Sequence, residues 1–197
     1  MDRLKAIYLE LAENLAAMGK EQGELVFSSG ETEAEIMLIG EAPGKDEVLL
    51  GRPFVGKAGK NLDEFLALSG ISRDTLFITN VVKFRPYRIS EKGRKANRPP
   101  TRKEIEICLP CLKQEIHVVR PKWIVTLGNS ALKALLGEAE TVGERHGKAM
   151  PLGDAMLYPL YHPASIIYRQ ALKPVYEEDV RGLKELLDRN RKSSHRE

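Results

Sequence analysis

Cysteine is nearly absent: the 197 residues hold two, Cys108 and Cys111. Two thiols exclude a disulfide-stapled scaffold and cannot alone fill a four-ligand zinc or iron–sulfur site. Histidine is scarce as well, and His117, His146, His162 and His195 show no metal-ligand spacing. No apolar run approaches the ~20 residues of a membrane span, which predicts no membrane partner. The opening MDRLKAIYLELAENLAAM mixes acidic residues into its apolar ones and has no small-residue cleavage site. It reads as a helix rather than a signal peptide and predicts a cytoplasmic chain. Internal repeats and low-complexity tracts are missing too. What remains, 42% hydrophobic and 30% charged, is the composition of one globular domain over 1–197.

The net charge of +3 hides an asymmetry. Residues 83–103 carry nine Lys and Arg against one Glu, while the rest holds 22 basic and 27 acidic residues. A smaller basic run closes the chain at about 189–197. A focused basic loop on a mildly acidic body suits a polyanion such as nucleic acid, and equally an ordinary solvated loop.

Apolar positions at Leu4, Ile7, Tyr8, Leu11, Leu15 and Met18 have helical spacing. Buried strands are expected at 35–40, 75–82, 122–128 and 155–161, with a short one at 25–27. Helices are expected at 57–69, from the capping box of Thr101 and Glu104, at 129–137, from 162 onward and at 175–190. Pro110 should kink or divide the second of these. Strands separated by helices predict an α/β/α sandwich on a parallel sheet, whose ligands bind outside the strands' carboxyl ends. The unusual residues gather there: Gly40–Glu41–Ala42–Pro43–Gly44, Asn80, Gly128–Asn129–Ser130 and His162–Pro163–Ala164–Ser165.

Two motifs have bland readings. Gly51 to Lys57 has P-loop spacing, but Ala58 replaces the hydroxyl residue that binds magnesium and no strand directly precedes it. Cys108-Leu-Pro-Cys111 has the CxxC form but lies inside a helical pattern, which favours buried structural cysteines over a redox pair.

GEAPGKDEVLLGRPFVGKAGKNL, TNVVKFRP and HPASIIYR, in that order, resemble the motifs of the uracil-DNA glycosylase superfamily in its iron–sulfur family 4 branch. The likeness runs from about residue 25 to 185. It implies a four-stranded, mostly parallel central sheet and a DNA-repair hydrolase acting on uracil-containing DNA, here as a monomer. In that role Phe54 offers its ring to an extruded pyrimidine, and the Asn80 amide pairs with uracil N3–H and O4. His162 donates to O2 as charge develops on the base, and Glu41 positions water or stabilises the sugar cation. The resemblance adds Gly40, Ala42, Pro43 and Gly44 to the substrate site, and Glu47 as a residue crowding the C5 position of thymine. Lys83, Arg85, Arg94, Lys95, Arg98, Pro163, Ser165 and Arg169 are the expected DNA contacts. Two departures stand out. Glu13, Ala16 and Phe84 occupy three of the branch's four cluster positions and only Cys108 remains, which predicts no iron–sulfur cluster and no other cofactor. The basic loop is also longer than usual and has no histidine, unlike relatives that trap DNA covalently. Removal of hypoxanthine or xanthine, or nucleic-acid or nucleotide binding without catalysis, are the alternatives at this point.

Overall fold

The structure, a computed structural model, describes residues 2–17 and 23–194. Met18 and residues 195–197, with His195, lie outside the described residues. The elements in chain order are α1 (Asp2–Ala17), β1 (Ser29–Gly30), β2 (Ile36–Gly40), α2 (Lys45–Leu50), α3 (Lys57–Ser69), β3 (Leu76–Asn80), β4 (Tyr87–Ile89), β5 (Lys95–Asn97), α4 (Arg102–Val119), β6 (Trp123–Leu127), α5 (Asn129–Leu136), α6 (Val142–Arg145), β7 (Met150–Leu152), β8 (Ala155–Leu160), α7 (Pro163–Tyr168) and α8 (Lys173–Ser194).

The main sheet runs β1-β3-β2-β6-β8-β7. Its four central strands are parallel, as expected, but β1 and β7 add an antiparallel strand at each edge, so the sheet has six strands. Alternation along each strand sorts the core into two layers. Met37, Ile39, Phe77, Ile124 and Leu157 face α1, α4 and α5 through Leu11, Leu15, Cys108, Leu112 and Leu132. Ile36, Leu38, Ile78, Val125 and Tyr158 face α3, α7 and α8 through Leu62, Phe65, Ile166, Tyr176 and Val180. Among the described residues no helix is long and apolar enough to cross a membrane.

Four local expectations change or sharpen. The segment at 25–27 is not a strand, although Val26 N–H donates to the Lys83 carbonyl at 2.7 Å. The basic stretch is a hairpin, pairing Tyr87 with Asn97 and Ile89 with Lys95. Helix α4 runs through Pro110 undivided, because its buried face packs on α1 and the sheet. Thr101 and Glu104 form the expected capping box, with Glu104 Oε2 accepting the Thr101 N–H at 2.7 Å.

Candidate active site

Four strand ends converge on two adjoining cavities of about 590 and 500 Å³ that share Glu41, His162 and Tyr168. Gly40 lines neither, but it sits directly behind Asn80 and Phe54, which line the larger. A Cβ there would lie 2.4 Å from Asn80 Oδ1 and 2.5 Å from Phe54 Cζ, so only glycine lets the amide and the ring meet at this point. Asn80 is 3% exposed, and its side-chain amide makes no hydrogen bond to another described residue. Asn80 lines the larger cavity, so an amide that pairs with no other side chain there is free to pair with a ligand. Its backbone is fixed, since Lys83 Nζ donates to the Asn80 carbonyl at 2.6 Å.

His162 caps α7: its Nδ1 accepts the Ala164 N–H at 3.1 Å. Nδ1 therefore carries the lone pair, and the neutral ring carries its proton on Nε2. Burial pushes the pKa of His162 down to about 4, against a smaller opposing pull from the Glu47 carboxylate. The ring lies 5.8 Å from that of Phe54, centroid to centroid. Asn61 Nδ2 donates to the Pro163 carbonyl at 3.1 Å and fixes the start of the helix. Glu41 accepts a hydrogen bond from the Ser130 hydroxyl, which orients one carboxylate oxygen.

Ala42, Pro43 and Gly44 line the larger cavity, and Ser165 and Arg169 the smaller. Glu47 lines the larger cavity too, but its carboxylate is occupied by backbone. It accepts from Gly44 N at 3.0 Å, Val55 N at 3.1 Å and Gly56 N at 2.9 Å. The amides that a P-loop would offer to phosphate are thus turned onto Glu47.

The expected DNA contacts divide. Pro163 is buried at the first position of α7, where it starts the helix rather than meeting DNA. Lys83 is a correction: it is wholly buried, paired with Glu115 at 2.7 Å and bonded to Thr79, and cannot reach DNA. A charge directly after a buried strand is drawn inward here by a carboxylate 32 residues away on α4. Arg85 donates to Asn97 Oδ1 and the Lys95 carbonyl within the hairpin. Arg98 makes a two-point bond to Glu104, both distances 2.7 Å, while lining the larger cavity. Arg94 and Lys95 are exposed, with Lys95 Nζ 4.3 Å from the Tyr87 ring centre.

Of the lining residues that carry no role in the sequence reading, four are polar side chains close to the proposed chemistry. Ser130 and Asn129 are legible as a strand end but not as neighbours of Glu41. Asn97 needs the hairpin. Tyr168, 86% exposed on the rim of both cavities beside Ile167, carries no signal beyond its place after the His-Pro motif.

The positions equivalent to the iron–sulfur ligands do not fit a cluster. Glu13 and Ala16 are exposed on α1, and Phe84 packs with Leu11, Leu15 and Cys108 in the core. Burial raises the thiol pKa of both cysteines, that of Cys111 to about 12. Among the described residues no group of three or more His, Cys, Asp or Glu could hold a metal ion.

The profile of the Uracil DNA glycosylase superfamily matches residues 27–183. The type-4 uracil-DNA glycosylase of Saccharolobus solfataricus is 40% identical over 80% of this chain and 74% of its own length. That of Archaeoglobus fulgidus is 39% identical over 80% of this chain and 79% of its own. The crystal structure of SMUG2 from Pedobacter heparinus shares the fold, with a TM-score of 0.57 at 15% identity over 80% of this chain and 77% of the other. A sheet whose strand ends present Glu41, Asn80 and His162 to one cleft, and a sequence match over most of its length, lead to one conclusion: the chain belongs to the uracil DNA glycosylase superfamily, within its type-4 branch.

Proposed function

We propose that this chain is a monofunctional uracil-DNA glycosylase that hydrolyses the N-glycosidic bond of uracil in DNA and leaves an abasic site. The observation that carries the reading is the Asn80 amide, unpaired among the described residues, lining the same cavity as His162, whose Nδ1 is taken up as an acceptor. A base must leave the stack to be cleaved, at a cost of a few kcal/mol. The larger cavity receives it with Phe54 against one face. The Asn80 amide oxygen accepts from uracil N3–H, and the amide nitrogen donates to O4. Cytosine presents the reverse pattern, so an amide held in this one orientation rejects it.

Departure of the base leaves negative charge on uracil and positive charge on the sugar. His162 donates from Nε2 to uracil O2, a bond that strengthens as the anion forms. The cap on α7 prepares this role, because with Nδ1 accepting from Ala164 N–H the ring's remaining N–H is the one on Nε2. Glu41, held by Ser130, faces the sugar from the boundary of the two cavities, where it orients water or offsets the cation. Tyr168 and Ile167 supply apolar surface at the rim to occupy the gap the base leaves. Pro43, Pro163 and Ser165 shape the loops beside the flanking phosphates. Arg94, Lys95 and the exposed Arg88 of the hairpin, with Arg169, contact phosphates. Glu47 acts by fastening the loop that surrounds the base.

The chain works as a monomer and without an iron–sulfur cluster, its place taken by the apolar packing of Phe84 on α1. The test is a uracil-containing oligonucleotide treated with the protein and then with hot alkali. Strand breaks at the uracil are expected, and their loss in Glu41→Gln and His162→Ala. Absence of breaks with the wild-type chain overturns the reading.

A further inference from the structure

We propose that Arg73 is a positioning residue for base recognition, holding Phe54 in a strained backbone conformation that turns its ring onto the base slot. The proposal rests on the reading of Phe54 as the surface on which the extruded base stacks. Among the described residues, only Phe54 and Arg120 are non-glycine residues with positive φ, at 54° and 50°. Arg120 ends helix α4, a usual place for that conformation. Phe54 has no such excuse. A residue with a Cβ enters this region at a cost, and stays there only if its surroundings impose it.

Three restraints impose it. Gly59 allows the Phe54 carbonyl to press on α3, since a Cβ there would lie 1.9 Å from that oxygen. Glu47 takes the N–H groups of Val55 and Gly56, the two residues that follow. Arg73 Nη2 donates to both the Pro53 carbonyl at 2.9 Å and the Phe54 carbonyl at 2.8 Å, straddling the strained residue. Its Nη1 donates to Asp63 Oδ1 at 2.7 Å, which anchors the fork on α3. Glu47 and Gly59 belong to the same stretch of chain as Phe54. Arg73 comes from the turn that leads into β3, the strand that ends in Asn80. It therefore ties the stacking ring to the strand bearing the reading amide, and at Gly40 the two have no room to spare. A planar fork can reach three oxygens in two directions, which a lysine ammonium on a single tether cannot reproduce. Arg73 lines a separate cleft behind the loop, whose lining includes neither Glu41 nor His162. It therefore touches no base directly, and its influence through Phe54 is separated from any through β3 or α3 by the Phe54→Ala background.

The test is a cycle of Phe54→Ala, Arg73→Gln and the double variant, with Arg73→Lys beside them. Single-turnover uracil excision and inhibition by free uracil are measured for each. Phe54→Ala should weaken uracil inhibition by roughly 5- to 150-fold, the range of base–aromatic stacking. Arg73→Gln should weaken inhibition and excision by about 10-fold while affinity for undamaged duplex stays within about 2-fold, and Arg73→Lys should fall between. In the Phe54→Ala background Arg73→Gln should change either quantity by less than about 2-fold, because the residue it acts through is gone. Equal effects in both backgrounds, or an unchanged uracil inhibition in Arg73→Gln, overturn the proposal. Unchanged uracil inhibition in Phe54→Ala overturns the stacking reading and this proposal with it, while wild-type excision of uracil leaves the glycosylase assignment standing.

Discussion

His162 and Asn80 stand on opposite sides of one slot and should fail in different ways. His162→Ala removes one donor to the developing anion, so excision should fall by about 10²–10³ with DNA affinity nearly unchanged. Asn80→Asp keeps the shape but replaces the amide donor by a second acceptor. Uracil cleavage should be lost, with a weak gain on cytosine, as single-turnover assays on matched oligonucleotides would show. The depressed pKa of His162 has a pH signature. Free imidazole protonates near 6.5, this one near 4. Between those values the unfolded chain binds a proton that the folded chain refuses, so this group's contribution to stability rises with pH across the window. The His162 ring proton should titrate near pH 4 by NMR, and excision should show no break at 6.5 attributable to it. An inflection near 6.5 in the NMR titration would mean that the ring is solvated.

At the scale of elements, the hairpin decides how the chain holds DNA. Arg85 and Arg98 are committed to partners within the protein, and the exposed cations left for phosphate include Arg88, Arg94 and Lys95. Neutralising these three should flatten the salt dependence of binding by about 0.9 for each phosphate that is no longer neutralised, with uracil preference intact. An unchanged slope would make the hairpin a bystander. The hairpin is fastened to α4 by Arg98 and Glu104. Mainly through that pairing, partly offset by burial, the carboxyl pKa is held down at about 2. A folded pKa below the free value contributes stability above pH 4.5 that is lost as the pH falls towards 2. Arg98→Ala should therefore destabilise by about 1–3 kcal/mol near neutrality and by much less at pH 2, in denaturant titrations.

For the whole molecule, the wholly buried Lys83–Glu115 pair ties β3 and the turn after it to α4. Removing one partner strands a charge, and Lys83→Met alone should cost about 3–5 kcal/mol, much of it recovered by adding Glu115→Leu. Purified protein should contain no stoichiometric iron, and iron with absorbance near 400 nm (roughly where thiolate-bound clusters absorb) would overturn that reading. The parallel strands and the convergence of Glu41, Asn80 and His162 are legible in the sequence, because apolar runs that end in Gly, Asn and His are a local signal. Lys83 is not, because its partner lies a helix away and a lone lysine reads as surface. The hairpin is hidden by charge: side-chain bonds from Arg85 and Arg98 hold it, and these leave no period. Edge strand β7 is only three residues long and carries Pro151, too short for a period to show, and α4 keeps Pro110 because packing on α1 outweighs the lost backbone bond.

The two edges of the main sheet have a consequence for how these molecules meet one another. An open sheet exposes unpaired amides at its margins, a template on which a second chain can grow. Here one margin is two residues long and the other has proline at the centre of three, so neither supplies a run of donors for an incoming strand. The four long apolar strands, the segments most prone to fibrillar stacking if uncovered, are sealed between margins that do not propagate. Crowding on DNA, where copies sit side by side along one duplex, should thus leave them dispersed rather than welded edge to edge.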